Sequence, residues 1–227
     1  MASEKGRTTG VVCVIPAFNE EATIGRIVGE ALKHCGTVIV VDDNSEDRTA
    51  ELSRKAGATV IRHVLRLGTG GALSTGFRAA LRSDFDIILT MDGDGQHTPD
   101  EIPAILDPIQ RREADIVIGS RLLGEPGSMP FIKRVGNKVL STAASIACGT
   151  RITDSQSGFR AYRRELLEYV MHRAWDYRWA SEILVLAARA DFRIKEVPIA
   201  AIYPRKRRKG ADIMDGLKIL YSTIRRS

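Results

Sequence analysis

The sequence predicts an α/β fold: a mostly parallel central sheet with helices on both faces. Three observations predict it. Short runs such as Val11–Ile15 and Thr37–Val41 are apolar almost throughout, the pattern of strands buried on both sides. They alternate with segments of helical periodicity, the connections that a parallel sheet needs. Each run also stops abruptly at polar or acidic residues, and in such sheets ligands bind beyond the C-terminal strand ends.

The chain in order supports this class. Val11–Ile15 is a strand that stops at Pro16, and Asn19-Glu20-Glu21 offers a cap and acidic first turn for a helix to about Cys35. Thr37–Val41 is the second strand and ends in Asp42-Asp43-Asn44-Ser45-Glu46-Asp47, followed by a helix over Arg48–Ala56 that Gly57 ends. Ala58–His63 gives a third strand, and Gly68-Thr69-Gly70-Gly71 opens the next helix. Phe85–Thr90 is the fourth strand, Pro99–Arg111 a helix and Ala114–Gly119 the fifth strand, leading into Ser120-Arg121. Beyond Gly124 come a Pro/Gly loop, an amphipathic helix over Phe131–Ala147 and a polar stretch, Ile152–Tyr162. Helices over Arg164–His172 and Trp175–Ala190, the latter with Glu182 in its middle, precede an edge strand at Phe192–Pro198.

Length and composition bound the function. The 227 residues suffice for one large domain with an ordinary core, and 44% hydrophobic with 27% charged residues excludes the disordered class. No apolar run approaches the roughly 20 residues that cross a bilayer, and Met1–Gly10 lacks the apolar stretch of a secretory leader, so the expected compartment is cytoplasmic. Cys13, Cys35 and Cys148 form neither a disulfide framework nor a zinc pattern and are expected to be buried or inert thiols. Of the net charge of +6, all the excess lies in Ala201–Ser227, which holds eight Lys/Arg against two Asp. Its run Arg205–Lys209 beside Ile213, Leu217 and Leu220 suits an anionic lipid surface better than a solvated tail. Nucleic acid is disfavoured as a partner because the rest of the chain is neutral and lacks an aromatic-studded basic groove.

The chemistry concentrates in Met91-Asp92-Gly93-Asp94-Gly95-Gln96-His97. Residues i and i+2 of an extended segment point to one side, so Asp92 and Asp94 direct two carboxylates to one point at a buried strand's end. Hard oxygen ligands with Gln96 alongside predict Mg²⁺ or Mn²⁺ shared with substrate phosphates. His97 reads as a solvated loop residue in preference to a ligand. The Gly68–Gly71 turn matches neither a dinucleotide fingerprint nor a P-loop, since Leu73 stands where the former needs glycine. Close backbone approach to a nucleotide and plain helix–strand packing remain as its readings. Asp42 and Asp43 either contact a nucleotide's base and ribose or, through Asp43 or Ser45, cap the following helix.

These motifs, together with Gly119-Ser120-Arg121 and Asp154-Ser155-Gln156-Ser157-Gly158-Phe159-Arg160, resemble the inverting glycosyltransferases of family 2. Within it they are most similar to the dolichyl- and polyprenyl-phosphate sugar synthases. The resemblance implies a GT-A fold over 1–204, with 205–227 as a basic, amphipathic membrane-surface segment. It implies a UDP- or GDP-hexose bound by Pro16, Phe18, Glu20, Asp42, Asp43, Gly70, Asp92 and Asp94, and a metal held by Asp92, Asp94 and Gln96. The acceptor, a dolichyl or polyprenyl phosphate, would meet Arg121, Lys133, Asn137 and Arg205. Asp94 and Arg121 are the expected catalytic residues. The family often has lysine at Thr69, arginine at Lys133 and serine at Asn137.

A lipid monophosphate is already an anion and needs cations, not a general base, whereas a hydroxyl acceptor needs a base, for which Asp154 is the candidate. The expectation is therefore an enzyme acting peripherally on the inner face of the membrane. The alternatives are a family 2 transferase acting on a sugar or protein hydroxyl, and a noncatalytic nucleotide-sugar or anionic-surface binding module.

Overall fold

The computed structural model describes residues 10–124, 131–172 and 179–200. In chain order these form β1 (Val11–Ala17), α1 (Ile24–Ala31), β2 (Thr37–Asp42), α2 (Thr49–Lys55), β3 (Thr59–Arg62), α3 (Gly68–Leu81) and β4 (Ile87–Thr90). A 3₁₀ turn (Pro99–Glu101) then leads into α4 (Ile102–Gln110), β5 (Ile116–Ser120), α5 (Phe131–Cys148), β6 (Arg160–Arg163), α6 (Arg164–Met171), α7 (Trp179–Arg189) and β7 (Ile194–Pro198). The strand order is β3-β2-β1-β4-β6-β5-β7. All neighbours are parallel except β6, which runs antiparallel to both β4 and β5.

The sheet separates two cores, as alternation along its strands requires. Val11, Cys13 and Ile15 of β1 face Ile24, Ile27 and Val28 of α1 and Ile102, Ile105 and Ile109 of α4. Val12 and Val14 face the other way, toward Phe77 of α3, Leu166 and Leu167 of α6, and Leu184 of α7. At Gly76, α3 lies so close to the sheet that an added Cβ would overlap Val14 Cγ1.

Several expectations need correction. β1 continues through Pro16, which pairs with Val41, because a proline without N–H is tolerated where the ladder ends. α1 starts at Ile24, not after an Asn19 cap. Asn19 has φ 56° and instead joins two loops: its amide donates to Ser45 Oγ (2.9 Å) and its Oδ1 accepts from Glu46 N (2.9 Å). Neither Asp43 nor Ser45 caps α2; Asp47 Oδ1 accepts from Thr49 N at 2.9 Å. β6 is a strand that periodicity does not reveal, since its first residue is an arginine. Arg160 is nevertheless 2% exposed, its guanidinium donating to the carbonyls of Ser157 (2.8 Å) and Ser155 (2.6 Å). Within the described residues α7 runs over Trp179–Arg189 and carries Glu182, while residues 175–178 of the expected helix lie outside the described residues.

Cys13 and Cys35 are buried and hydrogen-bonded to each other, a contact that with burial pushes the Cys13 thiol well up. No helix among the described residues is long and apolar enough to cross a membrane. The basic segment 205–227 lies outside the described residues.

Candidate active site

Four strand-end loops meet along one rim, held by hydrogen bonds between residues far apart in sequence. Glu20 N donates to Thr49 Oγ1 at 2.7 Å, joining the β1 and β2 loops. Thr23 Oγ1 donates to the Gly93 carbonyl at 2.7 Å, tying the β1–α1 connection to the turn after β4. Asp43 Oδ1 accepts from Leu67 N (2.8 Å) and Oδ2 from Gly68 N (2.7 Å), which draws the start of α3 to the end of β2. His63 Nδ1 lies 2.8 Å from Asp43 Oδ1 and its Nε2 2.9 Å from Thr75 Oγ1. Asp43 therefore fastens the Gly68 turn, a use that the sequence did not signal. Asp42 is fully buried; Oδ1 accepts from Ser45 N at 3.0 Å and Oδ2 forms a misaligned ion pair with Arg62 at 3.2 Å.

Pro16, Phe18 and Glu20 stand along this rim, and Arg66 lies over the Phe18 ring with its guanidinium carbon 3.9 Å from the centroid. Gly70 sits in the first turn of α3.

At the centre, Gly158 packs directly on Asp92: a Cβ there would lie 2.6 Å from Oδ2 and 2.7 Å from Oδ1. Thr90 Oγ1 fixes that approach by donating to the Gly158 carbonyl at 2.8 Å. His97 is 2% exposed, in contrast to the solvated residue expected, because its ring packs on Phe159 (centroids 5.3 Å) and Nε2 reaches Asp92 Oδ2 at 3.3 Å. Its Nδ1 is buried without a partner among the described residues. Burial opposes ionisation of Asp92, yet the hydrogen bond and charge of His97, with Arg121 and Arg160, outweigh it and hold the carboxyl below its ordinary value.

Asp94 is shifted the other way. Burial and the negative charge of Asp92 raise it, against the opposing bond from Gln96 N to Oδ1 (2.9 Å). Gln96 Nε2 donates to Asp94 Oδ2 at 2.7 Å, so this side chain orients Asp94. Two carboxylates whose charges disfavour each other fit a divalent cation. Among the described residues no group of three or more His, Cys, Asp or Glu could hold one alone. That donor set matches a Mg²⁺-type site in which one or two carboxylates share the ion with substrate phosphates.

On the other side of β4, Arg121 and Asn137 converge on Asp154. Asp154 is fully buried and accepts from Arg121 Nε (2.7 Å), Nη2 (2.9 Å) and backbone N (3.1 Å), and from Asn137 Nδ2 (2.7 Å). Burial opposes its ionisation, but Arg121 and Asn137 hold the carboxyl below the usual range. Glu196 of β7 fixes the preceding turn by accepting from Thr153 N (2.8 Å) and Asp154 N (3.0 Å). Lys133 lies in the first turn of α5, and Arg205 lies outside the described residues. Gly158 and Glu196 were not singled out by the sequence, although Gly158 lies within a quoted motif; His97 was weighed there and read as solvated.

Residues 12–171 match the family described as glycosyl transferase family 2. The chain belongs to that family. Among curated relatives, it is 35% identical over 94% of its length, and 94% of the other, to UDP-N-acetylglucosamine–dolichyl-phosphate N-acetylglucosaminyltransferase of Methanococcus voltae. It is 32% identical to polyprenol monophosphomannose synthase of Mycolicibacterium smegmatis, over 93% of this chain and 83% of that one. Its fold is that of glucosyl-3-phosphoglycerate synthase from Mycobacterium tuberculosis, solved with Mg²⁺ and uridine diphosphate, with a TM-score of 0.73 at 20% identity over 96% of this chain and 79% of that one. The seven-stranded sheet with its single antiparallel inner strand is thus the GT-A architecture of a family 2 glycosyltransferase.

Proposed function

We propose that this glycosyltransferase moves a hexose from a UDP- or GDP-sugar to a dolichyl or polyprenyl phosphate at a membrane surface, with inversion and with Mg²⁺ or Mn²⁺. The observation that carries this reading is the commitment of Asp154. A hydroxyl acceptor needs a general base with a free lone pair and a pKa near the working pH. Asp154 is fully buried, accepts four hydrogen bonds and is held below the ordinary carboxylate range. A phosphate acceptor needs no proton removed, only cations that hold it beside the anomeric carbon.

Pro16, Phe18, Glu20 and Gly70 line the donor side of the rim, Asp42 is buried behind it on Ser45 N and Arg62, and Asp43 shapes it through the Gly68 turn. Asp92 and Asp94 would hold the cation, which when bound neutralises charge on the departing nucleoside diphosphate. Gln96 orients Asp94, and His97 with Gly158 fixes Asp92. Arg121 and Asn137 stand on the acceptor side, to which the family resemblance also assigns Lys133 and Arg205; Asp154 presents Arg121 as a planar donor in one fixed orientation.

The outer face of α5 supports a membrane acceptor. Asn137 points inward at 7% exposed, while Val135 (47%), Val139 (54%) and Ile146 (79%) face outward. Exposed Arg134 and Lys138 flank this stripe. A helix with such a face and basic flanks suits a lipid headgroup boundary, adjacent to the Arg121–Asn137 cluster. The names of the two curated relatives, both transferases to lipid phosphates, agree with this.

The test supplies radiolabelled UDP- and GDP-hexoses to the full chain with polyprenyl phosphate, Mn²⁺ and soluble glycans. Label should enter the lipid phosphate fraction and be lost with chelator and in Asp92→Ala. Label entering only a soluble glycan would establish the hydroxyl-acceptor reading instead.

A further inference from the structure

The polar turn 153–158 connects the two halves of the site, and each half holds one end of it. At the metal end, Thr90 Oγ1 donates to the Gly158 carbonyl at 2.8 Å, which sets Gly158 against Asp92. At the acceptor end the anchor is a carboxylate. Glu196 accepts from Asp154 N through Oε1 (3.0 Å) and from Thr153 N through Oε2 (2.8 Å). It stands opposite Ile118 in the β5–β7 register, and Val197 beside it packs on the other core, so Glu196 shares a sheet face with Ile118 and Ile194. An unpaired carboxylate on an apolar face is costly; here both oxygens are used on amides of a turn outside any strand or helix. The strand beneath is itself fixed. Ile199 N donates to the Ser120 carbonyl (3.1 Å), Ala200 N donates to Glu101 Oε1 (2.6 Å), and a Cβ at Gly124 would lie 2.6 Å from the Ile199 carbonyl oxygen.

Asp154 is thus gripped twice. Its amide is on Glu196, and its carboxylate carries Asn137 and the Arg121 fork, with Nε at 2.7 Å and Nη2 at 2.9 Å. So short a bidentate pair moves as a unit, and a shift of the Asp154 backbone is a shift of the Arg121 guanidinium. Its neighbours are held by other groups: Ser155 N donates to Ser141 Oγ (2.9 Å), and Thr153 Oγ1 lies 2.6 Å from Ser120 Oγ. Glu196 holds the amide of Asp154 itself. We propose that Glu196 is a positioning residue for the sugar transfer. By fixing the acceptor end of the turn while Thr90 fixes the metal end, it sets the separation between Arg121, which would hold the acceptor phosphate, and Asp92, which would share the cation with the departing diphosphate. In-line displacement depends on that separation, since the reacting atoms must meet within about 3–3.5 Å. This assignment rests on the acceptor reading above and deepens it. The edge strand β7, at the opposite side of the sheet from β3, thereby enters the reaction through Asp154 and not through the reacting atoms.

The experiment measures hexose transfer to polyprenyl phosphate, and calorimetric binding of UDP and GDP with Mn²⁺, for the full chain and for Glu196→Gln, Glu196→Ala, Asp154→Asn and the Glu196→Gln/Asp154→Asn double variant. Glutamine keeps the size and one acceptor oxygen but turns an NH₂ group toward a backbone N–H. Glu196→Ala should lower kcat about a hundredfold, the cost of roughly 1 Å of misplacement, and Glu196→Gln should lower it by less. Both should bind the nucleoside diphosphate as the wild type does. The double variant should turn over as Asp154→Asn does alone, because residues acting through one network do not add. Unchanged kcat in both single variants, or losses that multiply in the double variant, would overturn the assignment. So would a nucleoside diphosphate affinity that falls along with kcat, the mark of a general loosening of the fold. A wild-type chain that labels only a soluble glycan would overturn the acceptor reading, and the assignment with it, before any variant is compared. Thermal melts show which variants are folded; where Glu196→Ala is not, Glu196→Gln carries the same comparison.

Discussion

Arg121 and Asp154 are joined as two parallel forks, Nε to Oδ2 at 2.7 Å and Nη2 to Oδ1 at 2.9 Å, with the backbone N of Arg121 adding a third bond to Oδ2 at 3.1 Å. Their side chains are 13% and 0% exposed. Such a pair fixes the plane and direction of the guanidinium, which a lysine could not reproduce. It also leaves a buried charge uncompensated when either partner is removed.

Asp154→Ala should therefore destabilise the protein by about 3–5 kcal/mol, measured as a fall in the urea midpoint; an unchanged midpoint would refute the clamp. The pH dependence follows from the lowered carboxyl of Asp154, which burial opposes and Arg121 enforces. A folded value below the unfolded one gives stability that is present above the ordinary carboxylate range and is lost as pH falls through the lowered value. Wild-type melts should show this loss toward acid, and Asp154→Asn should lack that component.

For Asp94 the sign reverses, because burial and Asp92 raise its carboxyl. In the metal-free protein its ionised form opposes folding, a cost that grows as pH rises through the unfolded value and is absent well below it. Asp94→Asn should melt higher than the wild type at neutral pH without metal and equally at low pH. The same variant should lose the rise in melting temperature that Mn²⁺ with a nucleoside diphosphate gives the wild type. A variant that melts lower at neutral pH would remove the argument that these carboxylates repel.

Gly158→Ala places a methyl 2.6 Å from Asp92 Oδ2. The neighbouring Thr90 bond to the Gly158 carbonyl resists movement of this backbone, so the carboxylate must turn. Overpacking of this kind costs about 1–3 kcal/mol. If Asp92 holds the cation, Mn²⁺ affinity read by electron paramagnetic resonance should fall at least about tenfold, the ratio that ~1.4 kcal/mol gives. Wild-type affinity would show that Asp92 lies outside the metal site.

Val139→Asp with Ile146→Asp should weaken co-sedimentation with vesicles containing anionic lipid at least about tenfold, since each change removes apolar burial of roughly 1.5–3 kcal/mol and adds a charge of the wrong sign. Both side chains face outward (54% and 79% exposed), so the melting temperature and nucleotide binding should remain unchanged. Vesicle binding equal to the wild type would remove α5 from the membrane face.

The strand and helix order was legible in the sequence because burial on both faces leaves an unbroken apolar run, and covering helices leave a 3.6-residue period. The strand-end rule likewise located Asp43, Asp92 and Asp94 on one rim. β6 escaped because its inward arginine satisfies its charge on the carbonyls of Ser155 and Ser157, bonds that no periodicity records. His97 was read as solvated because a loop position says nothing about the Phe159 ring that covers it.

By itself the sequence determined the fold class, the rim and the acidic pair after β4, since each is a local pattern along the chain. Tertiary structure alone decided which side chains are already committed. Arg121 and Asp154, 33 residues apart, share one fork; Asp43 fastens a turn 25 residues away; and Gly158 packs on Asp92. The reason is physical: a buried charge must find its partner wherever the fold brings one, and that distance in space is not written in the distance along the chain.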